Sequence, residues 1–193
     1  MIRPTVLSIG KWAHHSWLMR ATPVRGERAL GAASAQLLAR YPQLAQIDFT
    51  QMPPYLGSLP RSACARLFRV SAALACARGL RRVVSASAHH AFARSVAPQM
   101  LRSIQQHPRG THDDLALGIT LDPFDRREMT AAGLALSLRG LADGGRVQHT
   151  WLQLRMPRDI ANRATHYRFH ELDSDAAHAL LDDAWRLLRG EAC

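Results

Sequence analysis

The chain has 193 residues, 47% of them hydrophobic, and a formal net charge of +10. That length suits one domain with a sizeable core, and the apolar fraction excludes a disordered chain. No uncharged stretch approaches the roughly 20 residues needed to cross a bilayer, the N-terminal MIRPTVLSIGKWAHHSW lacks the apolar run of a signal peptide, and three cysteines make no disulfide framework, so the expectation is one cytoplasmic domain over residues 1–193 with reduced thiols.

Residues 1–24 read as an arm whose Trp12 and Trp17 dock somewhere, on the domain itself in preference to a partner. Residues 25–40 fit a helix with Leu30, Ala33, Leu37 and Leu38 inward, ended by Pro42. Residues 51–60, QMPPYLGSLP, are an irregular connector. The organising stretch follows. From about residue 61 to 84, Ala63, Leu67, Val70, Leu74, Ala77, Leu80 and Val84 recur at helical spacing, and residues 70–77 carry no charge on any face. A helix without a polar side is covered by its own protein, so this one is the expected centre. Cys64 and Cys76 lie on it, too far apart along a rigid rod to bond to each other.

Ser87 is the expected cap of a short helix through His89, Phe92, Ala93 and Val96, and Pro98 opens another with Met100, Leu101 and Ile104 inward. Residues 107–114 read as a surface loop, and 115–121 are ambiguous. Asp122-Pro123 and Asp125 announce a helix that runs to Gly144-Gly145. Its Ala131, Ala132 and Gly133 predict close packing on the small residues of the central helix. In residues 146–157, Val147, His149 and Trp151 alternate like a strand, while Trp151, Leu154 and Arg155 share a helical face; the period leaves both open. Residues 158–172 read as loop or short strand. The last segment is an amphipathic helix with Ala177, Leu180, Leu181, Ala184 and Leu188 inward, acids at its start and Arg186 and Arg189 at its end. The fold class expected is therefore mostly α: a compact helical domain around a central helix, with room for a small β element near residues 146–172.

Catalytic signals are weak. His166 and His170 have the i, i+4 spacing of a zinc pair with Glu171 beside them, but Tyr167 stands where the zincin pattern needs glutamate. His14-His15 and His89-His90 are adjacent and chelate poorly. No phosphate-binding loop and no GxSxG occurs. Asp113-Asp114 and Asp182-Asp183 are read as solvated pairs, the second on the exposed side of the last helix. The expectation is no enzyme, no metal, no cofactor and no small-molecule substrate.

Charge is uneven. Residues 1–48 carry +4, residues 49–112 carry nine arginines and no acid, and residues 113–193 carry −3. A basic middle attracts an anionic partner, or is neutralised by the acidic part within the fold. A basic nucleic-acid-binding module is the alternative function, although no aromatic platform for single strands and no clear helix-turn-helix is present.

Leu56-Gly57-Ser58-Leu59-Pro60, Cys64-Ala65-Arg66-Leu67, residues 77–84 (ARGLRRVV), Ala132-Gly133-Leu134-Ala135 and Trp151-Leu152-Gln153-Leu154-Arg155-Met156-Pro157 form an ordered set of short motifs. Together they resemble the SctK/YscK family of the type III secretion sorting platform, over about residues 56–157. The resemblance implies a non-enzymatic cytoplasmic adaptor that bridges the forkhead-like cytoplasmic domain of the inner-membrane ring protein (SctD type) and the pod protein (SctQ type), recruited to the cytoplasmic face of the inner membrane at the secretion apparatus. Candidate partner-binding residues within the motifs are Arg78, Arg81, Arg82, Trp151 and Arg155. For the three arginines near residue 80, a solvated helix end is the alternative.

Overall fold

The structure, a computed structural model, describes residues 8–18, 23, 25–77, 85–107, 125–141, 145–167 and 172–190. Among them are ten α-helices and no strand: α1 Ile9–Trp12, α2 Glu27–Arg40, α3 Pro54–Ser58, α4 Arg61–Ala75, α5 Ala86–Val96, α6 Pro98–Gln106, α7 Arg126–Gly140, α8 Gly145–Arg155, α9 Arg158–Ala164 and α10 Ser174–Arg189. Short 3-10 turns at His15–Leu18, Pro42–Gln46 and Phe49–Gln51 join the first three.

The helix α4 is central, as its uncharged run requires. Its Cys64, Leu67, Phe68 and every residue from Val70 to Ala75 are buried, and it packs on α5, α6, α7 and α10. Of the expected stripe, Leu67, Val70, Leu74 and Ala77 are in the core and Ala63 is half-buried, whereas Leu80 and Val84 lie outside the described residues; the helix ends at Ala75, with Cys76 as its C-cap, short of the expected end near residue 84. Its principal partner is α7, all of whose residues from Met129 to Ser137 are buried. The small residues expected to admit the partner do so: a Cβ on Gly133 would stand 1.8 Å from the Phe68 carbonyl oxygen. The two backbones therefore touch, and only glycine fits.

The arm docks on its own domain. Gly10 lies against α2, its amide donating to Ser34 Oγ at 2.9 Å, and the His14 amide donates to the Leu154 carbonyl at 2.7 Å. Trp17 donates from its indole nitrogen to the Met156 carbonyl at 2.8 Å, and the Trp12 and Trp151 ring centroids are 6.5 Å apart.

Several boundaries differ from expectation for local reasons. Residues 145–155, which the period leaves open between strand and helix, are helix α8: Trp151, Leu152, Leu154 and Arg155 are all buried, and only a helix turns them in together. Arg158–Ala164 is helix as well. The N-cap of α5 is Ser85 rather than Ser87, the two hydroxyls bonding at 2.7 Å. The cap of α7 is Asp125, whose carboxylate accepts from the Arg127 amide, and the helix stops at Gly140. Asp122-Pro123, Gly144 and the ambiguous residues 115–121 lie outside the described residues, as does most of the predicted loop at 107–114. The connector at 51–60 contains the short α3. Asp183 is buried rather than exposed: α10 packs on α6 as well as on α4 and α7, and Asp183 Oδ2 faces His107 Nε2 at 4.0 Å.

Candidate functional site

Two of the motifs, Leu56–Pro60 and Trp151–Pro157, meet in space. Arg155 is 0% exposed, and its guanidinium donates from Nη1 to the Leu56 carbonyl and from Nη2 to the Leu59 carbonyl. Those carbonyls belong to the last turn of α3 and its C-cap, where helical acceptors are missing. One side chain of α8 thus closes the end of α3 and sets the angle at which the chain enters α4. The guanidinium is also held between rings, 5.5 Å from the Trp12 centroid and 5.8 Å from that of Trp151. Burial is the first cause lowering its pKa, Cys64 opposes the shift and Arg61 adds to it; arginine stays protonated regardless. Burial also pushes the Cys64 thiol up, against Arg155, so it is a poor nucleophile.

Trp151 and Arg155, expected as partner contacts, are therefore interior groups. The structure gives them no free surface. Arg78, Arg81 and Arg82 lie outside the described residues, as does His170. Among the described residues no group of three or more His, Cys, Asp or Glu is placed to hold a metal.

Around this junction, side chains from distant elements supply missing caps and pairs. Tyr55 donates to Asp182 Oδ1 at 2.6 Å and stacks on Trp185 at 5.1 Å, tying α3 to α10; burial first, then Asp182, pushes its hydroxyl pKa up. Pro157 cannot cap α9 with its side chain, and Ser16 of the arm does so, its Oγ accepting from the Arg158 amide at 3.0 Å. The same Oγ lies 2.9 Å from His14 Nδ1. Ser16 and His14 are two residues apart, and the Ser16 amide also donates to His14 Nδ1 at 3.2 Å, so the pair closes a local turn that abuts α9. Glu128 of α7 accepts from both Arg163 and Tyr167, which fastens α9 and the turn after it.

A concave surface lies between α5 and α6. One wall is Ala86, His89, His90 and Ala93, and the other is Pro98, Leu101, Arg102 and Gln105. Each set steps by three and four, a single helical stripe. The groove encloses about 530 Å³. Gln105 Nε2 donates across it to His89 Nε2 at 3.1 Å. The helices join at Ala97, with φ 88° and ψ 145°, the one described non-glycine residue at positive φ. At the joint, the last carbonyls of α5 are covered by arginines: Arg69 Nε donates to Ser95 at 2.8 Å and Arg126 Nε to Arg94 at 2.9 Å. Sequence reasoning passed over this groove because His89-His90 read only as a poor chelate; the matching stripes on the two helices were the available signal.

No helix among the described residues is long and apolar enough to cross a membrane. No family model, no curated protein and no solved structure matches the chain.

Proposed function

We propose that the chain is a non-enzymatic adaptor of a bacterial type III secretion sorting platform. In this reading it works in the cytoplasm at the inner-membrane face, linking the ring protein's cytoplasmic domain to the pod protein. The observation that carries the reading is the junction at Arg155. The Leu56–Pro60 and Trp151–Pro157 motifs, two of the five that together carry the resemblance to the SctK/YscK family, are nearly a hundred residues apart yet form one unit through a buried guanidinium. Motifs that depend on each other structurally are a more specific resemblance than the same motifs scattered. Their role is then to fix the scaffold, and the bridging surfaces are elsewhere on it.

The test is affinity purification of the tagged chain from its own host at moderate salt, with the eluate identified by mass spectrometry. Recovery of a ring-type or pod-type secretion protein supports the adaptor. Recovery of nucleic acid alone, lost as salt rises, overturns it in favour of the basic nucleic-acid-binding module.

A further inference from the structure

We infer that the groove between α5 and α6 is a docking site for an acidic, amphipathic peptide segment of a partner protein. The inference stands apart from the secretion reading, since it rests on shape and charge alone.

The shape is that of a helix-in-groove receptor. Two stripes of side chains at helical spacing face each other, with small or apolar groups (Ala86, Ala93, Pro98 and Leu101) between them. The volume of about 530 Å³ is in the range of specific binding clefts. Leu101 is buried beneath the groove, while His90 and Arg102 stand exposed at its sides. The joint is held in a backbone conformation that alanine rarely adopts, and such strain collects at binding clefts.

The charge selects the occupant. The only formally charged residues on α5 and α6 are Arg94 and Arg102, and residues 49–112 contain no acid. Beside the joint, Arg69 is crowded by its own kind: burial first, then Arg126 and Arg66, lowers its pKa. Arg69 and Arg126 find backbone carbonyls there. Carbonyls satisfy hydrogen bonds without neutralising charge; Glu128 is paired with Arg163, and Asp125 is one acid beside Arg66, Arg69, Arg94, Arg102 and Arg126, so the local balance is positive and carboxylates complement it. The apolar stripe favours peptide over nucleic acid: no Phe, Tyr or Trp lines the groove as a stacking platform, and the imidazole of His89 is already engaged by Gln105.

The test uses the full chain and a fluorescein-labelled synthetic peptide of about 14 residues, roughly four helical turns. It carries leucine at i, i+3, i+4 and i+7 and glutamate elsewhere. Anisotropy is measured for this peptide, for the same peptide with lysine in place of glutamate, and for a short DNA duplex. The acidic peptide is expected to bind, and the lysine peptide not to. Arg102→Glu is expected to weaken binding about tenfold or more, since it turns an attraction to the peptide's glutamates into a repulsion. Ala93→Leu, which fills the groove without touching charge, weakens it as well, while Arg146→Glu on the exposed start of α8 leaves it unchanged. Circular dichroism melting confirms that each variant is folded. Absence of acidic-peptide binding, equal binding by Arg102→Glu and Ala93→Leu, or displacement of the peptide by duplex DNA would each overturn the inference.

Discussion

The Arg155 guanidinium donates to the Leu59 carbonyl from the interior of the protein, and among the described residues no carboxylate pairs with it. Its compensation is the Leu56 and Leu59 carbonyls together with the faces of Trp12 and Trp151. Arg155→Ala removes both hydrogen bonds, orphans two acceptors and opens a cavity; the expected loss is about 3–5 kcal/mol by urea denaturation. Arg155→Lys keeps the charge but offers a compact ammonium where a planar fork spans two carbonyls, so it falls between the native protein and alanine. A lysine variant as stable as the native protein would show that charge, not the fork, does the capping.

Gly133 faces the Phe68 carbonyl so closely that a methyl group has no room. Gly133→Ala must push α7 away from α4 along the most heavily packed contact of the domain. Overpacking typically costs about 1–3 kcal/mol and more when backbone is the obstacle, so the upper end is expected here. Ala132→Gly, one residue away, serves as control: it costs about 1 kcal/mol from helix propensity plus the loss of a buried methyl, without forcing the helices apart. Thermal denaturation followed by circular dichroism distinguishes the two if Gly133→Ala falls clearly further.

These two contacts show what the sequence discloses and what it hides. The approach of α4 and α7 is legible because Ala131-Ala132-Gly133 sits in a run with no charge, and such a run has to be covered. The burial of Arg155 is not legible, since an isolated arginine reads as surface and its acceptors lie in another helix. That one residue also decides α8: taken as exposed, it lets Val147, His149 and Trp151 pass for a strand. Asp183 was misplaced for the same reason, its partner His107 arriving from α6. Ser16 capping α9 across the arm is invisible to any rule that looks for caps within a few residues of the helix. Of the five candidate contact residues, Trp151 and Arg155 are interior, and the α5–α6 groove was passed over because its walls are ordinary helical stripes until they face each other.

Ala97 offers a gain rather than a loss. With φ 88° and ψ 145° it occupies a region that costs a residue with a Cβ roughly 1–3 kcal/mol. Ala97→Gly relieves that strain and loses part of the gain, about 0.5–1 kcal/mol, to the greater freedom of the unfolded chain. The expected net effect is a stabilisation of about 1 kcal/mol, read as a rise of about 2–4 °C in Tm. A fall in Tm would mean that the joint is not strained.

His14 makes stability depend on pH in a definite window. Its Nδ1 accepts from the Ser16 amide at 3.2 Å and lies 2.9 Å from the hydroxyl that caps α9. A protonated imidazole cannot accept there. Burial first, then His15 and Arg61, against a smaller opposing effect of Asp159, lowers its pKa from 6.5 to about 4. Above pH 6.5 both folded and unfolded chains carry it neutral, and its contribution is fully present. As pH falls from 6.5 towards 4 the unfolded chain takes up a proton that the folded chain refuses, so unfolding is favoured. Below about 4 both forms are protonated and the contribution is gone. His14→Gln keeps a side-chain acceptor and removes the titration. Its unfolding free energy, measured by urea at steps from pH 8 to pH 4, should fall less steeply than that of the native protein across the window, while the two slopes match above pH 7. Parallel slopes throughout would place the His14 proton elsewhere and undo the account of the Ser16 cap.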